Sequence, residues 1–185
     1  MPQVHVLGEI IGGAEYDHEA LYCTWRLVKD DHYWSVIRGQ DSGQTHLAMD
    51  HHIGTLERKV DVIWAHPLDI HLATSSPSGW PKIVIEVWHQ DQHHQKELNG
   101  YGCCRIPSCT GTIVIECPTW RPIGNASSWS DRLSTLFFGA PRCVDRNIIH
   151  TGGINRYELC TESTGYVLIE FQVLLSGWTK QIQFH

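Results

Sequence analysis

Two short apolar runs constrain this chain more than anything else in it. Residues 82–88 read KIVIEVW and residues 112–117 read TIVIEC. In the first run Ile83, Ile85 and Val87 point one way, and Lys82, Val84 and Glu86 the other. In the second, Ile113, Ile115 and Cys117 oppose Thr112, Val114 and Glu116. A period of two is the period of a strand, so each run has one face for a core and one for solvent or a thinner cover. Between the runs lie a polar segment, HQDQHHQKE (89–97), and LNGYGCCRIP (98–107), rich in Gly, Tyr and Cys. Residues 79–122 therefore predict a three-strand antiparallel unit, with one long polar loop and one short turn at Pro107–Gly111.

The rest of the chain reads in the same way. VHVLGEIIG (4–12) is a strand covered on both sides, and LYCTWRLV (21–28) a second, with Leu21, Cys23, Trp25 and Leu27 on one face. After a turn at 29–32, WSVIRG (34–39) makes a third strand. A weak strand signal falls at Thr45–Met49 within a His-rich polar stretch, and another strand at 60–64. WAHPLDIHLAT (64–74) carries Pro67, which suits only an edge, a strand start or a bulge. SSPSG (75–79) is a turn. Trp129, Leu133, Leu136 and Phe137 fall on one helical face. Ser128 and Asp131 form a capping box, and Gly139 and Pro141 stop the helix, which gives one short α-helix near 128–138. RYELC (156–160) and YVLIEFQVLL (166–175) predict a closing hairpin, with Val167, Ile169, Phe171, Val173 and Leu175 on one face. Many strands at short spacing, with a single helix, indicate an all-β antiparallel sandwich formed as one domain over 1–185.

Composition narrows the function classes. Fourteen Lys and Arg against 20 Asp and Glu give a net charge of −6, with neither sign in blocks, so nothing predicts nucleic-acid binding. The N-terminus lacks the charged and apolar regions of a signal peptide, and no apolar run reaches the roughly 18 residues of a spanning helix. Seven cysteines, an odd number, then read as buried thiols in a reducing compartment.

Catalytic and metal-binding patterns are weak. GYGCCR (100–105) has Arg105 where a dinucleotide fingerprint needs its third Gly, and no helix follows. His89, Asp91, His93 and His94 with Cys103, Cys104 or Cys109 offer zinc ligand types, but no Cys-x-x-Cys spacing exists, and a solvated loop is the simpler reading. The thirteen histidines and seven cysteines make any one Cys/His nucleophile pair weak evidence. Calcium needs six to eight oxygens. Asp91 and Glu97, mixed with His89 and Lys96, and Asp30-Asp31 elsewhere, make a poor site. No metal and no cofactor is expected. Trp80-Pro81 and Trp120-Arg121-Pro122 each set an indole beside a rigid backbone; burial outweighs a binding role for both. Trp88 points away from the Ile83 face, under the helix or towards a partner.

Four segments carry more than pattern. GWP (79–81), VWHQD (87–91), GYG (100–102) and CPTWRP (117–122), in this order and spacing, resemble the B9-domain family, as do VHVLGEIIG, HPLDIHLAT (66–74) and the last strand. The resemblance implies a variant of the C2 β-sandwich and a family signature that is mainly structural: Gly79, Trp80, Pro81, Trp88, Asp91, Gly100, Tyr101, Gly102, Pro118, Trp120, Arg121 and Pro122. His89 stands where calcium-binding relatives would carry the first Asp of an Asp-x-Asp pair with Asp91, which again disfavours calcium. The resemblance further implies a non-enzymatic component of the ciliary transition zone and basal body, on the cytoplasmic side of the ciliary base. Its implied partners are other B9-domain proteins, B9 domain-containing protein 1 and the Meckel syndrome type 1 protein, in the Meckel syndrome complex. Calcium-independent contact with membrane phospholipid is the alternative function. No partner-contact residue is assigned by the motifs.

Overall fold

The computed structural model describes residues 1–17, 20–49, 60–122 and 161–178, and every regular element among them is a strand. In chain order these are β1 (Gln3–Ala14), β2 (Leu21–Val28), β3 (Trp34–Gly39), β4 (Ser42–Gln44), β5 (Val62–Thr74), β6 (Lys82–Gln90), β7 (Lys96–Arg105), β8 (Gly111–Pro122) and β9 (Thr161–Ser176). They form one antiparallel sheet in the order β3-β5-β1-β9-β8-β7-β6-β2-β4. The predicted helix near 128–138 and the strand at 156–160 lie outside the described residues.

The sheet curls into a sandwich because both halves have an apolar face that must leave water. Val4, Val6 and Ile10 of β1, Leu68, Ile70 and Leu72 of β5, and Val167, Ile169, Phe171 and Val173 of β9 line one inner face. Leu21, Cys23, Trp25 and Leu27 of β2 and Ile83, Ile85 and Val87 of β6 line the other, in the same buried cluster. For β2, β6 and β9 these are the faces that the alternation predicts, whereas β1, read as covered on both sides, leaves Leu7 and Ile11 of its other face half-buried. Two indoles cross the layers. Trp64 of β5 donates its ring N–H to the Leu21 carbonyl of β2 at 3.1 Å, and Trp25 of β2 donates to His66 Nε2 of β5 at 3.0 Å.

Three details of connectivity differ from expectation. First, β7 and β8 do not form a hairpin closed at 107–111. They pair at the opposite end, through Tyr101–Trp120 and Gly102–Thr119 alone, and splay apart towards the turn. Among the described residues, these two pairs are the only strand ladder that joins the two halves. Second, the strand near Thr45–Met49 is replaced by β4 at Ser42–Gln44, with only a bridge from Ala48 to Leu21 beyond it. Gln, Ser and Gly have weak strand preference, and β4 is held as an edge by β2. Third, 60–64 and 64–74 are one strand, and Pro67 sits within it, opposite Glu9 of β1. On its other side β3 reaches only from Thr74 to Ile70. The missing N–H of Pro67 falls where β5 has no described neighbour, so β5 is internal at one end and an edge at the other.

One end of the sandwich is closed by aromatic rings. Trp34 and Trp80 meet edge to face with centroids 5.1 Å apart, and Trp178 lies 5.9 Å from Trp80. Their N–H groups go to the carbonyls of Ser78, Ile106 and Gln3.

This packing can be tested at two places. Trp80→Ala removes a ring that is 4% exposed and orphans the Ile106 carbonyl; urea unfolding should show a loss of about 3–5 kcal/mol. The second place is His66, whose pKa is lowered, first by burial and then by His46. The unfolded chain therefore binds a proton more readily than the fold, and protonation of Nε2 also ends its acceptance of the Trp25 N–H. Stability from this contact is fully present above about pH 6.5 and declines as the pH falls through the lowered value. Urea midpoints for the wild type should drop more between about pH 7.5 and about pH 5 than those of His66→Gln; equal slopes would refute it.

Candidate functional site

The alternation that fills the inner core also sends a second set of side chains to the opposite face of β6, β7 and β8. Val84, Leu98 and Tyr101 are buried there, with Val28, Trp88, Cys103 and Trp120 packed against them. Tyr101 and Trp120, a cross-strand pair, have ring centroids 5.6 Å apart. Glu86 sits in this apolar setting at 8% exposure. Its Oε2 accepts from the Trp88 indole N–H at 3.3 Å and from the Thr24 hydroxyl at 3.4 Å, so its charge is hydrogen-bonded as burial demands. At the margin, the Lys96 ammonium lies 5.5 Å from the Tyr22 ring centroid.

Three of the motifs thus contribute to one place: Trp88 from VWHQD, Tyr101 from GYG and Trp120 from CPTWRP. The flanking glycines serve close packing behind them. A Cβ on Gly102 would stand 2.7 Å from Ile85 Cγ1 and 3.1 Å from Cys117 Sγ, and one on Gly100 would overlap the Thr164 hydroxyl. Gly79-Trp80-Pro81 lies apart, at the aromatic end of the main core. Gly79 has φ 64°, and a Cβ there would overlap Asp30 Cβ, so the tight 75–81 turn needs glycine. Pro81 is buried, and its carbonyl accepts the Ile106 N–H. Arg121 pairs with Glu162 across β8 and β9, Pro118 is exposed, and Pro122 ends β8 opposite Thr161.

Asp91 has a defined local task. Its Oδ1 accepts the backbone N–H groups of His93 at 2.8 Å and Gln95 at 2.7 Å, shaping the β6–β7 turn in which His94 takes φ 61°. Asp30 does likewise for His32, and Asp31 pairs with Lys29. Val28 faces Lys82 at the start of β6, whereas Asp91 follows its end, so these acids are a full strand apart. The zinc ligand set is also dispersed: Cys104 faces Ile83, near the start of β6, while His93 and His94 lie beyond its other end. Among the described residues no group of three or more His, Cys, Asp or Glu side chains could hold a metal ion.

Other reactive types are tied up. Burial pushes the Cys23 thiol pKa up, and a hydrogen bond with Cys104 together with burial pushes Cys117 up, so neither supplies a thiolate at neutral pH. On the outer face of β1 and β5, His5 Nε2 lies 2.7 Å from Asp69 Oδ1 and stacks on His71 at 5.1 Å; the hydrogen bond from His5 holds the Asp69 carboxyl below its usual range. An open groove of about 470 Å³ is lined by Glu15, Glu116, Pro118 and Ser163 to Tyr166. Burial and then the carboxylates of Glu15, Glu116 and Asp61 raise the Tyr166 pKa. Sequence reasoning missed the Glu86 acceptor, since a Glu on the outward register of a strand reads as solvated.

The turn role of Asp91 gives a discriminating pair of variants. Asp91→Asn keeps an oxygen acceptor and should melt close to the wild type, whereas Asp91→Ala should lose about 1 kcal/mol. Equal losses in both would contradict the turn role.

Comparison with known proteins agrees with these motifs. The profile of the B9-C2 family, described as ciliary basal body-associated B9 protein, matches residues 4–174. B9 domain-containing protein 2 of Bos taurus is 38% identical over 97% of this chain and 97% of its own length. B9 domain-containing protein 1 of Xenopus laevis is 27% identical over 96% of this chain and 86% of its own. Among solved structures, a C2 domain of plant extended synaptotagmin 1 is 12% identical, covers 96% of both chains and superposes with a TM-score of 0.42. By the family match and the identity to its members, this chain belongs to the ciliary basal body-associated B9 family.

Proposed function

We propose that this chain is a non-enzymatic assembly component of the ciliary transition zone, on the cytoplasmic side of the ciliary base. In this reading it joins B9 domain-containing protein 1 and the Meckel syndrome type 1 protein in the Meckel syndrome complex and supports the ciliary gate. The observation that carries the reading is the family match over residues 4–174, which takes in all of the sandwich strands but the last two residues of β9 and a residue at the start of β1. The internal chemistry supports it. Among the described residues, several groups of types used in catalysis are bonded within the fold: Asp91 to its turn, Glu86 to Trp88 and Thr24, Cys117 to Cys104. The signature residues are, in the same reading, mainly structural.

A sandwich that spends its polar groups internally meets partners through its edges and faces. Among the described residues β3 pairs only with β5, and β4 only with β2, so each leaves one strand edge unpaired. β4 is three residues long, but β3 has six and presents exposed Ile37 and Arg38. An edge of that kind accepts a neighbouring strand through main-chain hydrogen bonds.

The test is co-expression of the tagged full chain with both proposed partners, followed by size-exclusion chromatography. A stoichiometric complex is expected. A well-folded monomer that leaves both partners behind would overturn the proposal. If that monomer also floated with anionic vesicles in the presence of chelator, calcium-independent lipid binding would take its place.

A further inference from the structure

The seam between β7 and β8 contains a feature that the assembly reading does not use. Tyr101 faces Trp120 and Gly102 faces Thr119. Two residues further in the same register, Cys104 falls opposite Cys117. Both point into the core: Cys117 is fully buried and Cys104 is 7% exposed. The Cys117 sulfur leans towards β7, where it lies 3.1 Å from the position of a Cβ built on Gly102, and the Cys104 side chain hydrogen-bonds it. Glycine at 102 leaves the space that the sulfur occupies. Here the ladder has already ended, and the strands diverge towards the 106–110 turn.

We propose that Cys104 and Cys117 are an oxidation site, forming a cross-strand disulfide that staples the two halves of the sandwich at their narrowest link. Among the described residues the other thiols are less directly opposed. Cys103 alternates to the outer face, Cys109 is exposed in the turn beyond β7, and Cys23 lies four residues along, at the level of Val87 and Gly100 rather than Cys104.

The oxidant is hydrogen peroxide. When the seam opens, the Cys104 sulfur, which keeps some exposure, attacks one peroxide oxygen. The O–O bond breaks, Cys104 becomes a sulfenic acid, and the thiol proton leaves with the other oxygen as water. Cys117 sulfur then attacks the Cys104 sulfur. The S–O bond breaks, and the departing hydroxide takes the Cys117 proton to give a second water. Two thiols lose two electrons, and one peroxide becomes two waters. Burial of both side chains, with the raised Cys117 pKa, keeps the closed pair slow to react, so the rate follows opening of the seam. A seam of two residue pairs opens at less cost than a full ladder. A staple requires the Cα atoms to come within roughly 4.4–6.8 Å, which draws the splayed strands together.

The test exposes the full-length native protein to hydrogen peroxide, alkylates remaining thiols before and after unfolding, and maps peptides by mass spectrometry. The expected product is a Cys104–Cys117 cross-link with the loss of two hydrogens, and a melting temperature raised in the oxidised protein and restored by dithiothreitol. Cys103→Ala and Cys109→Ala should retain the cross-link, and Cys117→Ala should abolish it. The wild-type map alone decides the matter if Cys117→Ala does not fold. Recovery of both thiols in alkylatable form from the oxidised native protein would overturn the proposal. So would a link that joins other cysteines, or one that forms only in denaturant.

Discussion

Burying an indole obliges the fold to provide an acceptor, and much of this structure depends on meeting that obligation. Trp25, Trp34, Trp64, Trp80, Trp88 and Trp178 all donate their ring N–H, to His66, to the carbonyls of Ser78, Leu21 and Ile106, to Glu86, and to the carbonyl of Gln3. Apolar burial is non-directional; it would hold the two faces together without setting how they lie. A hydrogen bond to a large ring is directional. Trp64 and Trp25 fix β5 against β2 across the layers, and Trp34, Trp80 and Trp178 fix the end where the chain turns at 75–81. The ladder contributes little to this registration, since the halves share only two residue pairs.

What the sequence makes legible is the short-range part. Alternation in 82–88, 21–28 and 166–175 assigns the core-facing residues, because a strand under a one-sided core can hold only one register without exposing its apolar set; in 112–117 it does so for Ile115 and Cys117, while Ile113 is half-buried outside the core cluster. It does not say which strands are neighbours. The 29–32 turn leads from β2 to β3, yet β2 pairs with β6 and β4, and β3 pairs with β5. That turn therefore passes from one layer to the other. Pro67 shows the same limit: proline reports a missing donor at one residue, and β5 is an edge at Pro67 but internal from Ile70.

Residue type proves a weaker guide to function than residue surroundings. Asp91 reads as a member of a poor calcium site, and its oxygen is held by two turn amides, an arrangement that explains why a short acid is needed there. Glu86 and Val84 read as facing solvent or a thinner cover on a two-residue period, and both are buried, Val84 in a second apolar cluster with Tyr101. A strand pattern distinguishes two faces and says nothing about how much covers each. The aromatic members of the motifs, Trp88, Tyr101 and Trp120, are what mark the outer face of β6 to β8 as different.

The two clusters divide the sheet into regions of unequal rigidity. Several neighbouring strands are joined by long ladders, β8 to β9 over twelve residue pairs with one irregularity at Thr119/Trp120. Between β7 and β8 the backbone supplies only two, and the side chains on both faces make up the difference: Tyr101 against Trp120 outside, Cys104 against Cys117 inside. Among the described residues, relative movement of the halves must pass through this line, since the other strand junctions lie wholly within one half. A partner that held both β7 and β8 would therefore stiffen the whole sandwich, whereas one bound at the β3 or β4 edge would leave the seam as it is. Tyr101, Gly102 and Trp120, three of the residues that give the chain its sequence signature, thus stand at the junction of the two halves.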